Sequence, residues 1–140
     1  WATERMRRRV GGQRVGVEAV RKLVRAAGGL WLGGLTVYAF SSENWKRPED
    51  EVSDLMGMMK RFILSDLDEF AASGVRLHVI GNWRALAPDV VELIQRALDR
   101  TAGNSKTSLA VALNYGSQDE LARAAQAAAA HGPITAEAIE

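Results

Sequence analysis

The sequence predicts an α/β protein with a central parallel sheet flanked by helices, and three observations carry that prediction. Three short β-forming runs, Leu35–Phe40, Val75–Ile80 and Ser108–Leu113, alternate with longer stretches of helical periodicity. The order α-β-α-β-α-β-α calls for crossover connections, and therefore for parallel strands set between helices. The 140 residues, 47% hydrophobic and 25% charged, suit one soluble domain around a single core.

The elements follow in order. From Val15 to Ala27 the apolar residues Val17, Val20, Leu23, Val24 and Ala27 recur at helical spacing, and Gly28-Gly29 supplies a stop. Its outer face is basic. Leu35–Phe40 is apolar on both parities and reads as an inner strand covered on both faces. Pro48 opens a helix whose face Val52, Leu55, Met56, Met59, Phe62, Ile63, Leu67 and Phe70 stays apolar as far as Gly74. Glu49, Asp50 and Glu51 lie in its first turn, where the helix dipole favours carboxylates and proline's missing N–H costs nothing. Val75–Ile80 is the second strand, Pro88–Arg100 a helix, Thr101–Asn104 a turn and Ser108–Leu113 the third strand. Asn114–Ser117 then leads into an alanine-rich helix in which Ser117 and Glu120 have capping-box spacing.

Composition excludes several functions. With 18 basic and 17 acidic residues the net charge is +1, which points to no nucleic-acid partner. The basic groups are uneven: Arg5, Arg7, Arg8, Arg9, Arg14, Arg21, Lys22 and Arg25 meet only Glu4 and Glu18 in their own stretch, so that end should attract anions. A solvated charge run is the commoner meaning of such a pattern. The chain has no cysteine, hence no disulfide framework and no thiolate zinc site. No apolar run approaches the ~20 residues of a membrane span, and no signal peptide is visible, so a cytoplasmic location is expected. No Walker-type loop follows a strand. His78 alternates with apolar neighbours and reads as a core or pocket-wall residue, and His131 as a helix-end residue; the pair makes no metal site.

In open parallel sheets, ligands bind beyond the carboxyl ends of the strands, and Ser41–Arg47 occupies such a loop. Ser41 and Ser42 bring hydroxyls, Asn44 a donor and an acceptor, and Arg47 a planar fork matched to phosphate oxygens. Composition leaves two readings open. The loop holds an anion, or Ser41 or Ser42 caps a turn, Trp45 packs on the core and Arg47 pairs with Glu51 one helical turn on.

The order of residues adds more. F-S-S-E-N-W-K-R-P-x-x-E, Phe40 to Glu51, closely resembles the signature of cis-prenyltransferases, bacterial undecaprenyl diphosphate synthases among them. Trp1-Ala2, Arg9, Gly12 and Gly16-Val17-Glu18 resemble the segment after that family's D-G-N-G-R motif. Gly74–Leu77, Ile80-Gly81, Leu98–Asn104 and Leu113–Gly116 fit its later segments without a gap. The resemblance implies a homodimer in which two long helices and the sheet enclose an apolar tunnel. It implies a magnesium-dependent condensation of isopentenyl diphosphate with an allylic diphosphate such as farnesyl diphosphate, giving cis double bonds.

By the same resemblance, Arg9 and Arg47 hold diphosphate oxygens, with Ser41, Ser42 and Glu43 in the substrate loop. Trp1 sits by the allylic substrate, Trp45 buttresses the loop, and Glu51 contacts the substrate region or orients Arg47. Asn44 is the implied partner in proton removal. A neutral amide is a poor base, so it is expected to position the acceptor. Met56 to Phe62 are candidates for the tunnel wall or for ordinary core. Gln13 stands where the family has histidine; it can hydrogen-bond a diphosphate but cannot shuttle a proton. Asn82 replaces an aspartate and Ser117 a glycine. The magnesium-binding aspartate would lie before Trp1 and the arginine-rich motif for the second diphosphate beyond Glu140, so residues 1–140 are expected to be incomplete at both ends and inactive alone. The competing expectation is a non-catalytic prenyl-binding or partner subunit of the same fold. An apolar product would bring transient contact with a membrane surface.

Overall fold

The computed structural model describes residues 9–30, 32–130, 132, 133 and 135; the side chains of 9–14 and 28 lie outside that description. Helix α1 spans Arg9–Gly29, strand β1 Gly34–Ser41, α2 Glu49–Ser73, β2 Val75–Ile80, α3 Pro88–Thr101, β3 Thr107–Tyr115 and α4 Ser117–Ala129. Short 3-10 turns, Ser42–Lys46 and Trp83–Ala85, follow β1 and β2. The strands are parallel in the order β1-β3-β2. Val37 lies opposite Val111, and Val79 meets Val111 from the other side.

The middle strand is therefore β3. Leu35–Phe40 was expected to lie inside the sheet; among the described residues β1 is an edge, with Thr36, Tyr38 and Ala39 exposed. Its apolarity on both parities has a local cause. The register slips between Tyr38 and Ser41, so that Phe40 rather than Ala39 falls opposite Leu113. Such a bulge reverses the alternation of faces. Phe40 is consequently buried with Leu113, Val52, Trp83, Val90 and Ile94 in one core cluster.

A second cluster joins Val24 of α1, Phe70 of α2, Val75 of β2 and Leu109 of β3. Helix α2 starts after Pro48 as predicted and stops at Gly74, which sits at φ 80° with its N–H returned to the Phe70 carbonyl. Asn104 completes that stop, its Nδ2 donating to the carbonyls of Ala71 at 3.0 Å and Val75 at 2.8 Å. Thr101 is fully buried yet satisfied: its hydroxyl donates to Ala97 O at 2.9 Å and accepts from the Leu77 N–H at 3.1 Å. His78 is half-buried in β2 opposite Ala110. His131 lies outside the described residues.

Two expectations need correction. The Ser117–Glu120 capping box does not form: Gly116 is the N-cap, and Glu120 accepts instead from the Tyr115 hydroxyl at 2.7 Å. That bond, lost if the phenol ionises, holds the Tyr115 pKa above its usual value. The basic face of α1 is also less open than its own stretch suggests, because folding supplies carboxylates from α2. Arg21 Nε donates to Asp66 at 2.6 Å, and Arg25 grips Glu69 through two bonds of 2.6 and 2.9 Å. No helix among the described residues is long and apolar enough to cross a membrane.

Candidate active site

Strand β1 delivers an abrupt change of polarity at its carboxyl end. Val37, Tyr38 and Ala39 line an apolar cavity of about 350 Å³, whereas Ser41 begins a polar turn. The cavity lies between the sheet, α1, α2 and the inward side of α3. Met58, Met59 and Phe62 form part of its α2 wall, with Ile94 contributed by α3. Met56, expected beside them, packs instead against the Phe40 cluster. A cavity of this size and polarity is suited to a small apolar ligand.

The turn is held by its own polar groups. Asn44 Oδ1 accepts the Ser41 backbone N–H at 3.0 Å, and the Arg47 N–H returns to the Asn44 carbonyl at 3.1 Å. The Asn44 acceptor is thereby used internally. Its Nδ2 is left as the end of that side chain without a hydrogen bond among the described residues. An asparagine in this state still offers a donor. Ser41 Oγ reaches Glu43 only at 3.5 Å, a weak contact.

Arg47 is half-exposed, and its guanidinium stands 3.6 Å from Glu51, which is the more buried of the two. At that distance and exposure the pair contributes about 0–1 kcal/mol. Arg47 thus pairs loosely with Glu51, as one of the two compositional readings had it, and stays half-exposed. Trp45 also serves two purposes. Its ring meets Phe40 edge-on at 5.1 Å between centroids, while Nε1 donates to Asn114 Oδ1 at 2.8 Å.

The structure thus brings Ser41, Ser42, Glu43, Asn44, Trp45, Arg47 and Glu51 into one turn and the first turn of α2. Trp1 lies outside the described residues, as do the side chains of Arg9 and Gln13; the backbones of those two belong to α1. Sequence reasoning missed the scaffold beneath the turn. Asn114, at φ 48°, also donates from Nδ2 to the Asn82 carbonyl at 2.9 Å, and its own carbonyl accepts the Asn82 N–H at 3.1 Å. The bonds to residue 82 are backbone ones, so asparagine in place of aspartate there leaves them intact. Two glycines admit this crowding. A Cβ on Gly81 would stand 2.4 Å from Leu113 O, and one on Gly116 2.4 Å from Ser42 Oγ. The available signal was the Asn114–Ser117 turn itself, whose residue types suit a left-handed position and a close approach.

Among the described residues, no group of three or more His, Cys, Asp or Glu side chains could hold a metal ion.

The family model described as putative undecaprenyl diphosphate synthase matches residues 1–140. The isoprenyl transferase of Agrobacterium fabrum is 51% identical over 142 residues, a match covering 99% of this chain and 58% of that protein. That of Caulobacter vibrioides is 48% identical over 127 residues, covering 91% and 49%. Among solved structures, a probable undecaprenyl diphosphate synthase from Campylobacter jejuni superposes with a TM-score of 0.82 at 30% identity, covering 88% of this chain and 60% of that one. Lavandulyl diphosphate synthase from Lavandula x intermedia, in complex with dimethylallyl diphosphate, gives 0.91 at 27% identity, covering 100% and 61%. The chain spans about half the length of the curated relatives it matches. With the family model matched from end to end and a polar turn set at the end of a strand that lines an apolar cavity, the chain belongs to the prenyltransferase family of undecaprenyl diphosphate synthase.

Proposed function

We propose that the protein is a cis-prenyltransferase that condenses isopentenyl diphosphate onto an allylic diphosphate, farnesyl diphosphate being the expected starter. The product would be a polyprenyl diphosphate such as undecaprenyl diphosphate, serving as a cell-wall carrier lipid. The observation that carries this reading is the adjacency of unlike surfaces on one strand: Val37 to Ala39 line the apolar cavity, and Ser41 to Arg47 follow at once. An amphiphile with an anionic head and a prenyl tail matches both.

In this reading the Arg47 guanidinium exchanges its loose pairing with Glu51 for diphosphate oxygens, to which its planar fork is complementary. The allylic carbon–oxygen bond breaks, a carbon–carbon bond forms, and a proton leaves the added unit. Asn44 Nδ2 orients the group that accepts that proton. The growing tail enters the cavity, where each buried methylene is worth about 0.8 kcal/mol. Every five-carbon unit therefore adds about 4 kcal/mol of apolar burial, less the cost of ordering it. Magnesium belongs to the reading as the counter-ion of the diphosphates. The described residues offer it no cage. A homodimer, implied by the resemblance, a cytoplasmic location, and passing contact of the apolar product with a membrane surface complete the reading.

The test is elongation. The protein at the full length of its relatives, given farnesyl diphosphate, radiolabelled isopentenyl diphosphate and magnesium, should yield long cis-polyprenyl diphosphate. No elongation at all, with an unchanged circular dichroism spectrum, would instead identify a non-catalytic prenyl-binding or partner subunit.

A further inference from the structure

Three strand ends converge on one side chain. Asn114 is the penultimate residue of β3, the middle strand, and occupies the left-handed region at φ 48°. Its Oδ1 accepts from Trp45 Nε1 at 2.8 Å, in the turn after β1, and its Nδ2 donates to Asn82 O at 2.9 Å, after β2. The orientation of this amide follows from its partners. An indole N–H can only donate and a backbone carbonyl can only accept, so the oxygen must face Trp45 and the nitrogen Asn82. Both partners tie Asn114 to segments on either side of the middle strand.

We infer that Asn114 is a positioning residue, which sets the orientation of the Ser41–Arg47 turn by holding the Trp45 indole. This rests on the function proposed above only where activity is concerned. Trp45 is itself fixed at two points, the N–H on Asn114 and the ring on Phe40 at 5.1 Å. One contact alone leaves the indole free to swing about it; the two together fix its plane. Asn44 precedes Trp45 by one residue and Arg47 follows it by two. A rotation of the indole therefore carries the amide and guanidinium with it. In this role Asn114 acts through Trp45, with one hydrogen bond at each end of its side chain.

The experiment uses two readouts. In 15N-resolved NMR spectra of the 140-residue chain, Trp45→Phe assigns the Trp45 indole resonance by removing it. Asn114→Ala should shift that resonance and speed its hydrogen exchange, while the other indole resonances keep theirs. Asn114→Asp keeps an acceptor for the indole but faces a carboxylate oxygen to Asn82 O, and should show a smaller shift. Asn114→Gly relieves the left-handed backbone and guards against misfolding as the explanation. In the protein at the length of its relatives, Asn114→Ala and Trp45→Phe should each lower kcat/KM by on the order of 10- to 100-fold, as small misplacements of reacting groups do. The double variant should be no worse than either single one. An unmoved Trp45 resonance in both Asn114→Ala and Asn114→Gly, or losses that multiply in the double variant, would overturn the inference. A wild-type protein without elongation whose indole responds as expected would remove the transferase reading and leave the positioning of the turn in place.

Discussion

At the carboxyl ends of the strands, Trp45, Asn44 and Asn114 are oriented by directional hydrogen bonds and stay partly exposed. On the wall of the cavity, Ile94, Leu109 and Phe70 are held by burial, with almost no polar group among them. Where α1 meets α2 beside that cavity, the polar contacts include two ion pairs, Arg21 with the buried Asp66 and Arg25 with the exposed Glu69. The two regions adjoin along β1 and use different forces. Burial is large and non-directional, so the wall supplies stability and tolerates reshaping. Hydrogen bonds are small in net energy and strict in geometry, so the turn supplies orientation and little stability.

That contrast predicts opposite consequences of substitution, and the largest effect should fall on the wall. Ile94 is fully buried, lines the cavity and packs into the Phe40 cluster. Ile94→Ala should cost about 2–5 kcal/mol of unfolding free energy in urea, as deletions of this kind do. Elongation should decline only in step with the folded fraction. Full activity loss without loss of stability would show that the wall also orients chemistry, and the division between the regions would fail.

The reverse is expected at the turn. Arg47→Ala removes a half-exposed side chain whose contact with Glu51 is a loose 3.6 Å, so stability should change by less than about 0.5 kcal/mol. Binding of inorganic pyrophosphate or isopentenyl diphosphate, measured by calorimetry, should weaken about tenfold or more, since hydrogen bonds to charged groups are worth about 1.5–3 kcal/mol. A stability loss beyond about 1.5 kcal/mol would make Arg47 a structural residue.

The same contrast explains what the sequence could disclose. Burial leaves a periodic trace, so the three strands, the long α2 helix from Pro48 to Gly74 and the apolar faces were legible. So was the turn, because its residues are contiguous. The clasp beneath it was not, because Asn114, Asn82 and Trp45 are far apart in the chain and each is an ordinary residue where it stands. The ion pairs of α1 were misjudged for the same reason: Asp66 and Glu69 lie more than forty residues away from Arg21 and Arg25. Position inside the sheet was also illegible for β1, since a bulge at Tyr38–Ser41 mimics the pattern of a strand buried on both faces.

The smallest expected effect sharpens the comparison from the electrostatic side. The Arg25 guanidinium, by its hydrogen bonds to Glu69, holds that carboxyl below its usual value. A carboxylate depressed in the folded state contributes stability that is fully present above its unfolded pKa of about 4.3 and is lost as pH falls through the folded value. Glu69→Gln removes that contribution at neutral pH. The variant should therefore melt slightly below wild type at pH 7, and the gap should close on acidification below pH ~4 and shrink in 1 M salt, where an exposed pair is screened. A gap that widens at low pH would reverse the sign and exclude Glu69 as a stabilising carboxylate. If the gap at pH 7 instead rivals that of Ile94→Ala, the α1–α2 seam is held by charge rather than by the apolar residues beneath it. The wall would then owe its stability to directional contacts, as the turn owes its orientation.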